Sequence, residues 1–396
     1  MFQHTIYTDP YCRELVTTIV GSFPYTPKLR AVILEDTCVY PEGGGQPADR
    51  GTLFLGDRQY AIVDCQKRAG TILHLIEAGE NEYDFPVGAE VRLSIDWERR
   101  FDHMQQHSGE HLISGICHER HGYDNVGFHI SEDYMVIDFN GELSAEEIAE
   151  IERLANLAVW KNIQIEALYP TPEEAVSLDY RAKKEVGEEL RLIQVPGYDL
   201  CACCGTQLKN TGEIGEIRIR RFERHRGGTR IYACCGERSL KMAQAESAII
   251  DDLVGLLSTS KEQLSNRIAE LIEEKYALER KLRQQKFAAL RTAAEDCKQD
   301  YLLLETSDLN AAEQKEFAKE LAVDFPRFVF LYQVNGERLN IVALRSPDSS
   351  LDYDLRDLLA SLREEFTVKA GGQKNFIQGQ LETGPDQLLE FFELDE

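Results

Sequence analysis

The sequence predicts an α+β protein: a small N-terminal β-barrel, a second α+β domain, a long helical segment and a C-terminal α/β domain. Three observations predict it. Runs rich in β-branched and aromatic residues, broken by Gly, Asp and Asn, occupy residues 1–100. Near Arg99 the apolar period turns helical. Residues 240–297 then read as helix throughout, before strand-like runs resume.

Length and composition fit that plan. A chain of 396 residues is too long for one ordinary core. Its 43% apolar residues with 28 Gly and 12 Pro are a globular composition, which excludes a largely disordered or fibrous protein. The net charge of −25 argues against a general polyanion binder, although a local basic patch can sit on an acidic body. No basic n-region followed by an apolar h-region opens the sequence, so no signal peptide is expected. No run approaches a membrane span. Ten cysteines are too few for a disulfide framework. Five of them crowd into Cys201, Cys203, Cys204, Cys234 and Cys235, which suggests metal chemistry in a reducing compartment. A soluble cytoplasmic protein, with neither DNA nor membrane as partner, is the expectation.

Taken in order, AVILEDTCVY (31–40), QYAIVDCQ (59–66) and EVRLSIDW (90–97) read as strands of an antiparallel sheet or small barrel over 1–95. YPEGGGQPADRG (40–51) is a loop whose glycines and prolines no strand interior would tolerate. Residues 99–120 read as a helix. MVIDF (135–139) is strand-like, and SAEE places a helix start at Ser144 with Glu147 completing a capping box. RLIQVPGY, EIRIRRF and TRIYACC complete a second α+β unit, 96–240. The helical segment, 241–297, breaks at Ser258-Thr259-Ser260, where Ser260 and Gln263 form a second capping box. Leu264, Leu271 and Leu278 recur every seven residues, with Ile268 and Leu282 interleaved and Lys275 interrupting. An antiparallel hairpin, a short dimer coiled coil and a connector packed on one face all fit. In 298–396, RFVFLYQV and RLNIVALR flank the turn Asn335-Gly336, a helix LRDLLASLREEF follows, and KAGGQKNFIQGQ (369–380) reads as a glycine-bearing loop.

Chemistry concentrates in two places. HSGEH puts His107 and His111 on one helical face, able to present two nitrogens to one ion, although two surface histidines give the same pattern. His118-Glu119-Arg120-His121 lacks metalloprotease spacing. DLCACCGTQLKNTGEIG (199–215) packs three cysteines into four positions. Two imidazoles and a thiolate suit Zn²⁺, but sequence spacing alone does not bring residues 107 and 203 together.

With YPEGGGQPADRG after Thr37, MQQHSGEHL and CCGTQLKNTGEIG in this order, residues 5–240 resemble the alanyl-tRNA synthetase editing domain and its freestanding relatives, the AlaX-type trans-editing deacylases. The tail, with AGGQKNFIQG, is similar to the DHH-associated RNA-binding domain of long AlaX proteins. The resemblance implies one zinc per chain on His107, His111 and Cys203. The family's final histidine is replaced by Gln207. Three outcomes follow: three protein ligands and a water, closure by Cys201 or Cys204, or loss of metal.

The resemblance also implies a trans-acting aminoacyl-tRNA deacylase that cleaves the ester of serine, or of glycine, on alanine-specific tRNA. The alternative is a weakened tRNA-binding adaptor in which Gln207 marks a decayed site. Thr37 matches the family's threonine for serine recognition, Gln46 adds a directional amide, and Gly43, Gly44 and Gly45 let backbone approach a small ligand. Glu110, His103 and His129 stay outside the catalytic assignment. The phosphate contacts fall where positive charge clusters. Residues 216–238 carry a net +4 with Arg218, Arg220, Arg221, Arg224, Arg226 and Arg230. Residues 275–291 carry a net +5 and include Lys281 and Arg283. Lys374 and Phe376 offer a charge and a stacking face for unpaired nucleotides. The tail after Gly384 has five acids and no base, and should face away from RNA. A homodimer through the helical segment or the C-terminal domain is the further expectation.

Overall fold

A computed structural model of the chain describes residues 3–77, 85–182, 190–295, 297, 299–325, 327–345 and 353–393. They form two compact units, 1–251 and 252–396. The end of the acidic tail, 394–396, lies outside the described residues.

In the first unit a short helix α1 (Thr5–Thr8) precedes β1 (Glu14–Thr26), β2 (Leu29–Leu34), β3 (Gly51–Leu55), β4 (Arg58–Arg68), β5 (Thr71–Glu77) and β6 (Glu90–Ile95). These strands close into an antiparallel barrel in the order β1-β2-β5-β4-β3-β6, leaving no free edge. Alternation fills it: in β6, Val91, Leu93 and Ile95 point inward and meet Ile19, Leu53, Ile62 and Ile76.

The strand expected over 31–40 stops at Leu34. Asp36 explains the stop, because its carboxylate accepts from the amides of Thr5 and Thr37 at 2.8 and 2.7 Å. The Thr37 hydroxyl in turn takes the Val39 amide at 3.0 Å. Side chains thus replace the ladder. Similarly, the strand expected to reach Trp97 ends at Ile95, because Asp96 caps the next helix by accepting from the Arg99 amide.

That helix, α2 (Trp97–His121), ends at Gly122 in the left-handed conformation, φ 70°. It is polar yet buried from His103 to Cys117. Packed around it are α3 (Ala145–Lys161), the sheet β12-β13-β8-β7 and the sheet β11-β10-β9, with a core of Met104, Leu112, Ile137, Ile151 and Ile231. The strands are β7 (Asn125–Ile130), β8 (Met135–Phe139), β9 (Glu166–Leu168), β10 (Leu192–Val195), β11 (Asp199–Ala202), β12 (Ile217–His225) and β13 (Gly228–Cys235), with a short α4 (Pro172–Ala175). The Ser144–Glu147 capping box forms.

A buried ion pair fixes the glycine loop to α2. Arg100 donates Nε to both Asp49 oxygens at 3.0 and 2.9 Å, and its other nitrogens reach the carbonyls of Pro10 and Cys38. Both side chains are fully buried, a geometry that holds because each guanidinium nitrogen has an acceptor.

Helix α5 spans Glu237–Leu257, and the division between the two units falls within it, after Asp251. The break at Ser258 is present, with φ 48°, but the second capping box is not. Ser260 bonds Glu262 instead, and residues 261–263 form a 3₁₀ turn. In the second unit, α6 (Leu264–Glu295) precedes a sheet ordered β14-β15-β16-β18-β17. Its strands are β14 (Tyr301–Glu305), β15 (Phe328–Asn335), β16 (Arg338–Leu344), β17 (Thr367–Gln373) and β18 (Phe376–Glu382), with helices α7 (Ala311–Leu321), α8 (Leu355–Glu365) and α9 (Pro385–Glu393). The loop expected at 369–380 is instead the β17–β18 hairpin. Gly379 faces Ala370 across it at a separation no Cβ would allow, so these glycines serve strand packing. Among the described residues no helix is long and apolar enough to cross a membrane.

Candidate metal centre

Helix α2 sets His107 and His111 one turn apart, with ring centroids 5.5 Å apart and near-parallel planes. The segment after β11 turns Cys203 toward them, its Sγ 3.3 Å from His107 Nε2. The donor atoms of His107, His111 and Cys203 all lie within 4.8 Å of one another. Residues 96 positions apart in sequence therefore meet.

Each imidazole is held by its far nitrogen. Gln46 Oε1 lies 2.9 Å from His107 Nδ1 and 3.2 Å from the Thr206 amide. A backbone N–H only donates, so this atom is the acceptor and His107 carries its proton on Nδ1. His111 Nδ1 lies 2.7 Å from Asp199 Oδ2. Its Nε2 is buried and, among the described residues, without a hydrogen-bond partner. Burial alone would depress His111, but the carboxylate of Asp199 and the sulfur of Cys203 raise it to about 10. Burial likewise opposes ionisation of Cys203, yet His107 and His111 together hold its thiol well below the usual range. An orphaned Nε2, a second imidazole and a thiolate form a donor set that fits a borderline-soft ion such as Zn²⁺.

Gln207, which stands where the resemblance has its final histidine, is oriented by Ser108. The Leu208 amide donates to Ser108 Oγ at 3.1 Å, and Ser108 donates to Gln207 Oε1 at 2.7 Å. The amide oxygen of Gln207 is thus turned to Ser108, and its Nε2 faces Cys203 Sγ at 3.7 Å. Cys201 lies with His111 and Asp199 rather than with His107, and burial pushes its thiol up. Cys204 is exposed, its Sγ 3.6 Å from where a Cβ on Gly44 would sit.

The glycine motif makes a two-residue turn. Gly43 and Gln46 exchange backbone hydrogen bonds at 3.1 and 3.0 Å, while Gly44 and Gly45 take φ 59° and 83°, conformations that glycine adopts freely. Gly45 backs onto Phe128, whose ring lies 5.1 Å from His107. The turn therefore borders the histidines.

Gln46 and Thr37 both already carry hydrogen bonds within the protein. Gln46 is fully buried, and both ends of its amide are engaged, by His107 and by Thr206 Oγ1 at 2.8 Å. Thr37 is buried in the barrel. Its hydroxyl lies 2.8 Å from His74 Nε2, and His74 Nδ1 lies 3.1 Å from the Val32 carbonyl. A carbonyl only accepts, so Nδ1 carries the proton and the Thr37 hydroxyl donates to Nε2. With the Val39 amide on one lone pair, one lone pair of that oxygen remains. His103 Nδ1 is buried without a partner, and His103 makes no hydrogen bond to His107 among the described residues. Glu110 is buried, accepting from Ser114 and Asn125. Asp199, Thr206, Ser108 and Phe128 were not legible as site residues, because nothing in their spacing marks them.

Most of the arginines on β12 and β13 face acids. Arg218 meets Glu246 at 3.3 Å, Arg221 meets Glu223 at 3.1 Å, Arg224 meets Glu142, and Arg230 meets Asp138 at 2.6 Å. Arg283 meets Glu316 at 3.1 Å. Among the described residues Arg220, Arg226 and Lys281 make no ion pair. Lys374 lies in the β17–β18 turn, and Lys315 covers the ring of Phe376 at 4.6 Å.

Comparison with known proteins finds two family models and several relatives. Residues 25–99 match the family model of class II (A) tRNA synthetases, and 190–232 match the threonyl and alanyl tRNA synthetase second additional domain. The chain is 28% identical to the alanyl-tRNA editing protein AlaX-L of Pyrococcus horikoshii, covering 98% of this chain and 97% of that one. It is 29% identical to the alanine–tRNA ligase of Pyrococcus abyssi, of which it spans only 41%. It is also 29% identical to the alanyl-tRNA editing protein Aarsd1-B of Xenopus laevis, over 68% of that protein. The class is that of editing domains related to the tRNA synthetases. Within it, the chain matches the alanyl-tRNA editing protein AlaX-L over nearly the full length of both chains.

Proposed function

We propose that this chain is an aminoacyl-tRNA deacylase acting in trans. It hydrolyses the ester of seryl-tRNA(Ala), with glycyl-tRNA(Ala) as second substrate, at a zinc site. The observation that carries this reading is the meeting of His107, His111 and Cys203 beside the glycine turn. His107 and His111 through Nε2, and Cys203 through its thiolate, would hold the ion. When bound, zinc supplies either a water of lowered pKa or an anchor for the terminal nucleotide. An aminoacyl ester is already activated, so the chain's own task is mainly orientation. Gln46 fixes the His107 proton on Nδ1. Gly43, Gly44 and Gly45 offer backbone without side chains where a small amino acid must fit. Thr37 anchors the stem of that loop, and its remaining lone pair can accept from a seryl hydroxyl, which alanine lacks. Gln207 acts on the sulfur through its N–H, so the protein ligands number three. Unpaired Arg220, Arg226 and Lys281 are the first phosphate contacts, and exposed Leu278 and Leu282 on α6 support self-association.

Deacylation of seryl-, glycyl- and alanyl-tRNA(Ala) by the purified protein tests the reading. Turnover of the seryl ester, spared for the alanyl ester and abolished by His107→Ala, is expected. Binding of tRNA without turnover would establish the adaptor instead.

A further inference from the structure

The two imidazoles of the centre are held from behind by different groups. A neutral amide, Gln46, holds His107, whereas a carboxylate, Asp199, holds His111 at 2.7 Å. Asp199 opens β11 directly after the Tyr198 turn, and its side chain is 1% exposed. Its second oxygen accepts from Arg181 Nε at 2.8 Å. Both carboxylate oxygens are therefore engaged, one by the histidine and one by the guanidinium. Helix α2 comes close enough for this contact because Gly115, one turn beyond His111, packs on that same turn. A Cβ there would lie 2.3 Å from the Tyr198 carbonyl oxygen and 2.7 Å from Asp199 Cβ.

We infer that Asp199 is the positioning residue of the metal centre. By accepting from Nδ1 it orients the His111 ring so that the orphaned Nε2 faces Cys203, and its negative charge strengthens that nitrogen as a donor. Arg181 keeps the carboxylate turned to the histidine. This also settles which of two neighbouring donor sets takes the ion. His111, Asp199 and Cys201 lie close enough to bind one, but the Asp199 oxygens that set would need are already engaged by His111 and Arg181. The inference rests on the zinc reading above and adds a residue that no metal motif contains.

The test is zinc affinity, measured at one pH by competition with a chromophoric chelator, for the full chain and for Asp199→Ala, Asp199→Asn and Arg181→Met. Loss of a hydrogen bond that orients a ligand weakens metal binding about 10- to 100-fold. Asp199→Ala is expected in that range, and Arg181→Met shows a smaller loss. Asp199→Asn retains an oxygen that accepts from Nδ1, so it should recover much of the affinity. A second readout needs no metal: the His111 Nδ1 proton, followed by ¹⁵N-resolved NMR, should be protected from exchange in the wild type and in Asp199→Asn and lost from Asp199→Ala. Unchanged zinc affinity in a folded Asp199→Ala protein overturns the inference. Equal losses for Ala and Asn, tracking an equal fall in melting temperature, also overturn it, since that is a merely structural role. Should the wild type take up no zinc, the metal reading fails, while the protected proton still decides whether Asp199 holds His111.

Discussion

A Cβ on Gly205 would lie 2.0 Å from His107 Cε1, closer than any side chain tolerates, so the glycine after Cys204 is what leaves room for the ligand ring. Gly205→Ala must displace the imidazole, and a misplacement of about an ångström costs roughly 100-fold in activity. We expect a loss of that size in seryl-tRNA(Ala) deacylation, with the melting temperature little changed. A second residue-scale effect concerns acid. Burial depresses His74 to about 4 and His103 to about 3, the latter also through Arg99 and Arg238. Each is neutral in the folded protein, whereas the unfolded chain binds a proton below about 6.5. Where the unfolded state binds more protons, stability rises with pH. Their contribution is therefore complete above about 6.5 and lost as pH falls toward 4. Denaturant unfolding at several pH values should show this slope, and His74→Gln should flatten it.

At the scale of elements, β12 carries the sharpest consequence for tRNA. Its ladder with β13 shifts register between Ile219 and Arg221, and Arg220 and Arg221 are both exposed, in a run of exposed residues that reaches Arg224. Exposed ion pairs are worth about 0–1 kcal/mol, so phosphate can compete for Arg221, but Arg220 and Arg226 need release no acid first. Replacing both Arg220 and Arg226 by alanine should reduce the slope of log affinity against log salt by roughly 2, read from tRNA binding at several salt concentrations. The elements differ in how plainly the sequence announced them. Helix α2 and the Ser144 capping box follow from local period and side-chain chemistry. The strand through Thr37 is shorter than its residue pattern suggests because Asp36 diverts its backbone bonds, a contact with Thr5 across 31 residues. The β17–β18 hairpin is hidden in the sequence because its glycines look like a turn until a partner strand lies against them.

On the scale of the whole molecule, the centre depends on three segments far apart in sequence: the loop that carries Gln46, helix α2, and the β10–β11 turn with the cysteines behind it. Spacing alone offers two histidines on one helical face and a cluster of thiols; it is the resemblance carried by the three motifs that singles out His107, His111 and Cys203. It could not identify Asp199 or the Ser108–Gln207 pair, whose roles arise only when separate elements pack. Gln207 showed in sequence as a missing histidine. Its orientation, with oxygen on Ser108 and nitrogen toward sulfur, depends on a hydroxyl 99 positions away. The most direct test is the zinc K-edge X-ray absorption spectrum of the zinc-loaded protein. A single Zn–S shell at ~2.3 Å with Zn–N scattering at ~2.0–2.1 Å, its imidazole signature weakened in His107→Ala and its sulfur absent in Cys203→Ala, is predicted. A spectrum with no sulfur in the wild type, or one unchanged by both substitutions, would contradict the site.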